Sequence, residues 1–363
     1  MAHDNGNADQ LRSLASACVF AALISCACHS VPPASLVTTT PAAAAPHAYP
    51  VIGTIERVDP ALDALVPPDA KIEKLAEGFT WAEGPVWTTE GGGALLFSDV
   101  PNNVIHRWND GEGLTDFLRP GGYTGKEPRG GNLGPNGLTF DGAHHLIVCQ
   151  HGDRRVARLE ADRSFATVAG SFEGKRFNSP NDVVVRSNGD VYFTDPPYGF
   201  EGAPPTWKRA LDFSGVYRRT ADGVVKLLTK ELSFPNGIAF SPDEKVVYVS
   251  NSDPARAIWM VYDVAADGGL AHGRVFYDAT SLVKAGKKGL PDGLKIDVHG
   301  NLFAGGPGGV LVFTPAGKLL GTIVTGEPTA NVGFGGDGSV LYMTAHDKLC
   351  RIRTTTSVAT RDR

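Results

Sequence analysis

Short apolar runs, each introduced by a polar step, organise most of the chain. Leu138-Thr139-Phe140, Val183-Val184-Val185, Ile238-Ala239-Phe240 and Leu294-Lys295-Ile296 each follow a Pro-Asn-Gly, Pro-Asn-Asp or Pro-Asp-Gly step. A turn rich in Gly, Asp or Asn comes next, as in Ser187-Asn188-Gly189 or His299-Gly300-Asn301, where positive φ costs little. Second runs follow at 146–149, 191–194, 246–250, 302–304 and 341–344, and third runs at 156–159, 215–218, 258–262, 310–313 and 349–352. Val224 to Leu228 and Val275 to Tyr277 read as fourth strands. The pattern predicts repeated four-stranded units.

Aligned on the polar step, the chain gives Ala82-Glu83-Gly84, Pro135-Asn136-Gly137, Pro180-Asn181-Asp182, Pro235-Asn236-Gly237, Pro291-Asp292-Gly293 and Ala330-Asn331-Val332. The intervals run from 39 to 56 residues. Self-similarity on about this period marks propellers and repeat arrays. The expected fold is therefore all-β, a six-bladed β-propeller. Its sixth repeat runs out after a third strand near Arg353, and Ile72-Glu73-Lys74-Leu75 is placed to supply the missing outer strand, so that an N-terminal strand completes the last blade and leaves no free edge. Two long loops break the rhythm, residues 119–135 and 196–214, and the second, with Trp207, Lys208 and Arg209, reads as a lid.

Composition fits short strands joined by many turns: 44 Gly and 25 Pro in 363 residues, with 42% hydrophobic residues. The net charge of −5 without a basic cluster argues against nucleic acid and for a small-molecule ligand. Ahead of the repeats, an uncharged run from Ser13 to Cys28 follows Arg12, too short for a membrane span and suited to an export signal. Leu23-Ile24-Ser25-Cys26 resembles a lipobox, which would make residues 1–25 a lipoprotein-type signal and Cys26 a lipidated membrane anchor on a periplasmic protein; plain cleavage to a free periplasmic protein is the alternative. Residues 26–66 read as a linker and extension, 67–355 as the propeller and 356–363 as a tail. Cys149 and Cys350 sit in apolar runs, as small packed hydrophobes or as a blade-to-blade disulfide.

The first strand of every propeller blade lines the central channel, so equivalent residues form a ring. Here the ring is Glu83, Asn136, Asn181, Asn236, Asp292 and Asn331, all oxygen donors. Such a set suits Ca²⁺, Mg²⁺ or Mn²⁺, and the two carboxylates balance one divalent cation. Any single Asn-Gly is also ordinary turn chemistry, the plainer account of Asn136 and Asn331. Glu83 has no turn preference, Asp292 breaks a run of asparagines, and Asp182 replaces the expected glycine beside the ring. The ends of the second strands, including Asp99, His151, Asp195 and Asn251, form a second polar layer. The chain has no Gly-x-Ser-x-Gly elbow, His-Glu-x-x-His or phosphate loop.

Several separated stretches carry a family resemblance: Trp81 to Trp87, Phe97-Ser98-Asp99, Arg176 to Asp182, Tyr192 to Gly199, and Leu290-Pro291-Asp292-Gly293. Over residues 52–353 the chain resembles the gluconolactonase family, grouped with senescence marker protein and luciferin-regenerating enzyme, and most closely its exported bacterial members. The resemblance implies one divalent cation in the channel, Ca²⁺ first and Mg²⁺, Mn²⁺ or Zn²⁺ otherwise. It also implies hydrolysis of a sugar lactone, D-glucono-1,5-lactone above all. Glu83, Asn236 and Asp292 match the metal ligands, Asn181 an asparagine that binds metal or substrate, and Asp182 an acid beside it. Asp292 and then Asp182 are the expected catalytic bases; Asn181, Asn136, Asp195 and Tyr198 are expected to bind substrate. A lactonase for acyl or aromatic lactones and a non-catalytic carbohydrate- or protein-binding propeller are the alternatives.

Overall fold

A computed structural model describes residues 48–127 and 129–358. The expected signal at 1–25, Cys26 and the end of the tail lie outside the described residues. Six sheets follow one another around an axis as the blades of an all-β propeller. Blade 1 is built from Ala82–Thr88, Ala94–Asp99, Val104–Asn109 and Gly113–Leu118. Blade 2 uses Pro135–Phe140, Leu146–Gln150, Arg155–Leu159 and Phe165–Ala169. Blade 3 uses Val183–Val185, Val191–Asp195, Gly215–Arg219 and Val225–Thr229. Blade 4 uses Pro235–Phe240, Val246–Asp253, Arg256–Val264 and Leu270–Asp278.

Blades 5 and 6 carry five strands each. Blade 5 runs Leu294–Ile296, Leu302–Gly306, Gly309–Phe313 and Leu319–Val324, with Thr54–Arg57 outermost. Blade 6 runs Thr329–Gly335, Val340–Ala345 and Lys348–Arg353, then Ile72–Glu77, with Val51–Ile52 outermost. The linker reading of residues 26–66 fails from Val51 onward. Thr54–Arg57 and Val51–Ile52 each extend a blade edge, and Leu62, Leu65 and Val66 are buried between blades 5 and 6. At the other end the tail boundary also gives way: Val358 is buried, and Thr356 donates to Asp297 at 2.8 Å.

The sequence pattern follows from the packing. Each sheet is covered on both faces by its neighbours, so second strands such as Leu146–Gln150 and Leu302–Gly306 are buried at every residue. The apolar side chains sort into six clusters, one at each junction between successive blades, including that between blades 6 and 1. Cys149 and Cys350 lie in two different clusters as free thiols, which removes the disulfide alternative.

Near the axis the blades are joined by hydrogen bonds. The hydroxyls of Ser98 and Thr194 donate to the carbonyls of Asn136 and Asn236 in the following blade, each at 2.7 Å. Gly84 (φ 53°) makes this approach feasible: a Cβ there would stand 2.2 Å from the Asn136 carbonyl oxygen. Pairing shifts register between Glu83 and Val86, Pro135 and Leu138, Pro235 and Ile238, and Thr329 and Asn331. These bulges re-aim the residue at the polar step instead of leaving it in regular alternation.

Candidate active site

A cavity of about 680 Å³ opens where the first strands begin, and Glu83, Asn136, Asn181, Asn236 and Asp292 all line it. Five blades thus bring five of the six ring residues to one space. Asn331 stands behind its wall: its Oδ1 accepts from the amide of Val332, as its turn chemistry suggested, and its side chain also bonds the carboxylates of Glu83 and Asp182.

Two asparagines have fixed amide orientations. Asn236 Nδ2 donates to Ser252 Oγ at 3.0 Å, while that hydroxyl donates onward to the Pro291 carbonyl. Asn136 Nδ2 is bound in the same way by the His151 ring at 3.3 Å. With the nitrogens engaged, the amide oxygens are left for the cavity. Asn181 Oδ1 is buried and has no hydrogen-bond partner, an unusual state for a buried acceptor.

The carboxylates stand in tension with their surroundings. Burial pushes Glu83 up to about 7, opposed by the Trp81 indole N–H at 3.2 Å and reinforced by the charge of Asp182. Asp292 is raised well above the usual carboxylate range, first by burial and then by the charge of Glu83. Converging acids beside an orphaned amide oxygen form a cation-seeking set. The donor chemistry of Glu83, Asn181, Asn236 and Asp292 therefore fits a hard divalent ion.

Two expected site acids turn elsewhere. Asp182 lies outside the cavity lining; its oxygens accept from the amides of Val183 (2.9 Å) and Ile238 (3.3 Å), the second in the next blade. It occupies the usual glycine place and ties two blades together, with Lys295 supplying the nearest compensating charge. Its charge also raises Glu83 and Asp292, so it stands as an acid beside the ring. Asp195 is wholly buried and accepts from the amides of Asn178 (2.8 Å) and Ser179 (2.7 Å), so it shapes the approach to Asn181 and does not touch the cavity. Asp99 does the same for Thr80 and Trp81, and Asn251 for Phe234. Asp99, Asp195 and Asn251 of the second polar layer therefore cap backbone amides at the ends of second strands.

Tyr198 lines the cavity as expected, stacked on Phe234 at 5.9 Å, and burial raises its hydroxyl pKa. His151 also reaches the cavity, and burial holds its imidazole down to about 4. Trp81, Asn132, Glu201 and Ser252 line it too and were not expected. Asn132 and Glu201 come from the two long loops, which meet there: the Asn132 amide donates to the Glu201 carbonyl at 3.2 Å. Arg129 packs its guanidinium 3.2 Å from the Trp207 ring centre, joining the same two loops. The 196–214 loop is thus a wall of the cavity, pinned by its neighbour.

Residues 81–347 match the model of the SMP-30/Gluconolactonase/LRE-like region. A gluconolactonase of Zymomonas mobilis is 39% identical over 312 residues, covering 84% of this chain and 87% of that one. The solved structure of a gluconolactonase from Xanthomonas campestris superposes with a TM-score of 0.73 at 30% identity, over 84% of this chain and 97% of that one. Regucalcin of Agrobacterium tumefaciens, described as a calcium-binding protein, shares the fold at 20% identity and a TM-score of 0.61, over 80% and 96%. The chain belongs to the SMP-30/gluconolactonase/LRE-like family.

Proposed function

We propose that this protein hydrolyses the ring ester of a sugar lactone, with D-glucono-1,5-lactone as the first substrate. The observation that carries the reading is the buried, unpartnered Oδ1 of Asn181 at a cavity shared with Glu83, Asn236 and Asp292. It is supported by the similarity to gluconolactonases from two bacteria. Those four residues would hold one divalent cation, Ca²⁺ in the first instance, which when bound supplies Lewis-acid polarisation of an ester carbonyl.

Asp292 faces the cavity beside the site proposed for the cation, and it is the group we assign as general base on that placement. It takes a proton from water as the new C–O bond forms at the carbonyl carbon. When the tetrahedral species collapses, the ring C–O bond breaks and the same proton passes to the departing ring oxygen, leaving the hydroxy acid. Asn136 and Tyr198 orient the sugar hydroxyls. In this reading the Ile72–Glu77 strand acts as the clasp that closes the ring and keeps the five liganding and binding positions on one axis, and the N-terminal leader exports the protein to the periplasm. Acid release from D-glucono-1,5-lactone, followed with a pH indicator, tests the activity: turnover by wild type and loss in Asp292→Ala are expected, and equal rates in the two overturn the assignment of Asp292.

A further inference from the structure

The cavity is divided by chemistry. Apart from the ring acids Glu83 and Asp292, and Thr80 and Thr329, its polar side chains fall on the arc made by blades 2, 3 and 4, with Asn132, His151, Tyr198, Glu201 and Ser252 around Asn136, Asn181 and Asn236. The opposite arc, between blades 4 and 5 and on blades 6 and 1, presents Trp81, Val100, Pro101, Val283, Leu290 and Pro328. Besides Glu83 and Asp292, which belong to the ring, the few hydrogen-bonding side chains on that arc have protein partners. Trp81 Nε1 is bound to Glu83, the Thr80 hydroxyl accepts from Asn102 at 3.0 Å, and the Thr329 hydroxyl is paired with Thr325 at 3.0 Å.

A small lactone hydroxylated all round would satisfy its hydroxyls on one arc and leave those facing the other without protein partners, so that arc would add nothing to its binding. The volume of about 680 Å³ also falls in the middle of the range occupied by drug-sized ligands, more than a single hexose lactone fills. Apart from Val100, the side chains of the apolar arc are only partly buried, so they have contact area still to lose to a ligand.

We infer that the preferred substrate is a lactone whose ring carries an extended apolar substituent, the ring seated on the polar arc and the substituent on Trp81, Val100, Pro101, Val283, Leu290 and Pro328. This rests on the lactonase reading and narrows its substrate class. Glucono-1,5-lactone then reacts as a truncated substrate that leaves the apolar arc uncovered.

The test is kcat/KM for glucono-1,5-lactone beside a series of δ-lactones differing only in alkyl length, from δ-hexalactone through δ-octalactone and δ-decalactone to δ-dodecalactone. Wild type should gain about fourfold for each added methylene until the wall is covered. In Val283→Asn the dependence on length should flatten, and since the slope is read within each protein, a general loss of folding or activity does not mimic that result. A flat series in wild type, with glucono-1,5-lactone still hydrolysed, overturns this inference and leaves the lactonase reading intact. An unchanged slope in Val283→Asn overturns the placement of the substituent. Turnover of no lactone at all overturns both.

Discussion

His151 holds Asn136 in one amide orientation: its Nδ1 faces the Asn132 carbonyl at 3.2 Å and so must carry the proton, leaving Nε2 to accept from Asn136 Nδ2 at 3.3 Å. Burial, which lowers the imidazole pKa to about 4, keeps this neutral tautomer in place across the physiological range. His151 is therefore a positioning residue acting through Asn136. His151→Phe should lower kcat/KM for the lactone by about tenfold, the worth of one buried hydrogen bond. Steady-state kinetics would show it, and retained kcat/KM would mean that the amide needs no such restraint.

The same histidine gives a pH signature. Its folded pKa of about 4 lies below the unfolded value of about 6.5, so between these limits the unfolded chain binds more protons. The contribution of neutral His151 is fully present above about pH 6.5 and is lost as pH falls towards 4. Glu83 and Asp195, raised by burial to about 7, act in the opposite sense over much of that window, so the difference between proteins is the informative quantity. Wild type should lose up to about 3 kcal/mol relative to His151→Gln on going from pH 7 to pH 4, read from denaturant unfolding at each pH.

Asp195 should behave as a structural residue. Asp195→Ala leaves the amides of Asn178 and Ser179 without acceptors and should cost about 2–4 kcal/mol of stability. KM for the lactone in the folded fraction should stay near wild type. A large KM effect with unchanged stability would return Asp195 to the binding site.

The propeller and the ring were largely legible because each blade repeats one device: a polar step, then an apolar strand buried on both faces. What escaped the sequence depends on tertiary contact. The strands Val51–Ile52 and Thr54–Arg57 are too short for a period, and they exist only because blades 6 and 5 offer edges to pair with. Asp182 and Asp195 have the composition of site acids, yet backbone amides from within and beyond their own blades claim their oxygens. Ser252 and His151 matter through what they bind, and a side-chain partner on another strand or a loop carbonyl leaves no mark at fixed spacing. Among the ring residues, Asn331 combines both outcomes: its Oδ1 takes the next backbone amide, and its side chain also bonds the carboxylates of Glu83 and Asp182.

The stack of Arg129 on Trp207 fixes the wall formed by the two long loops. A cation over an indole is worth about 0.5–2 kcal/mol, enough to set whether the wall stands or swings. Trp207→Ala should make residues 196–214 the first site of limited proteolysis and raise KM several-fold with little change in kcat. Equal proteolysis of the two proteins would assign the order of that loop to its other contacts.

Calorimetric titration of the chelator-treated protein with CaCl₂ addresses the shared cation site itself. Wild type should bind one ion per chain, and Glu83→Gln and Asp292→Asn should each abolish that binding while keeping the β-sheet circular dichroism of wild type. Stoichiometric binding retained in both variants would contradict the account, because the two carboxylates that the propeller brings to one cavity would then not be holding the ion.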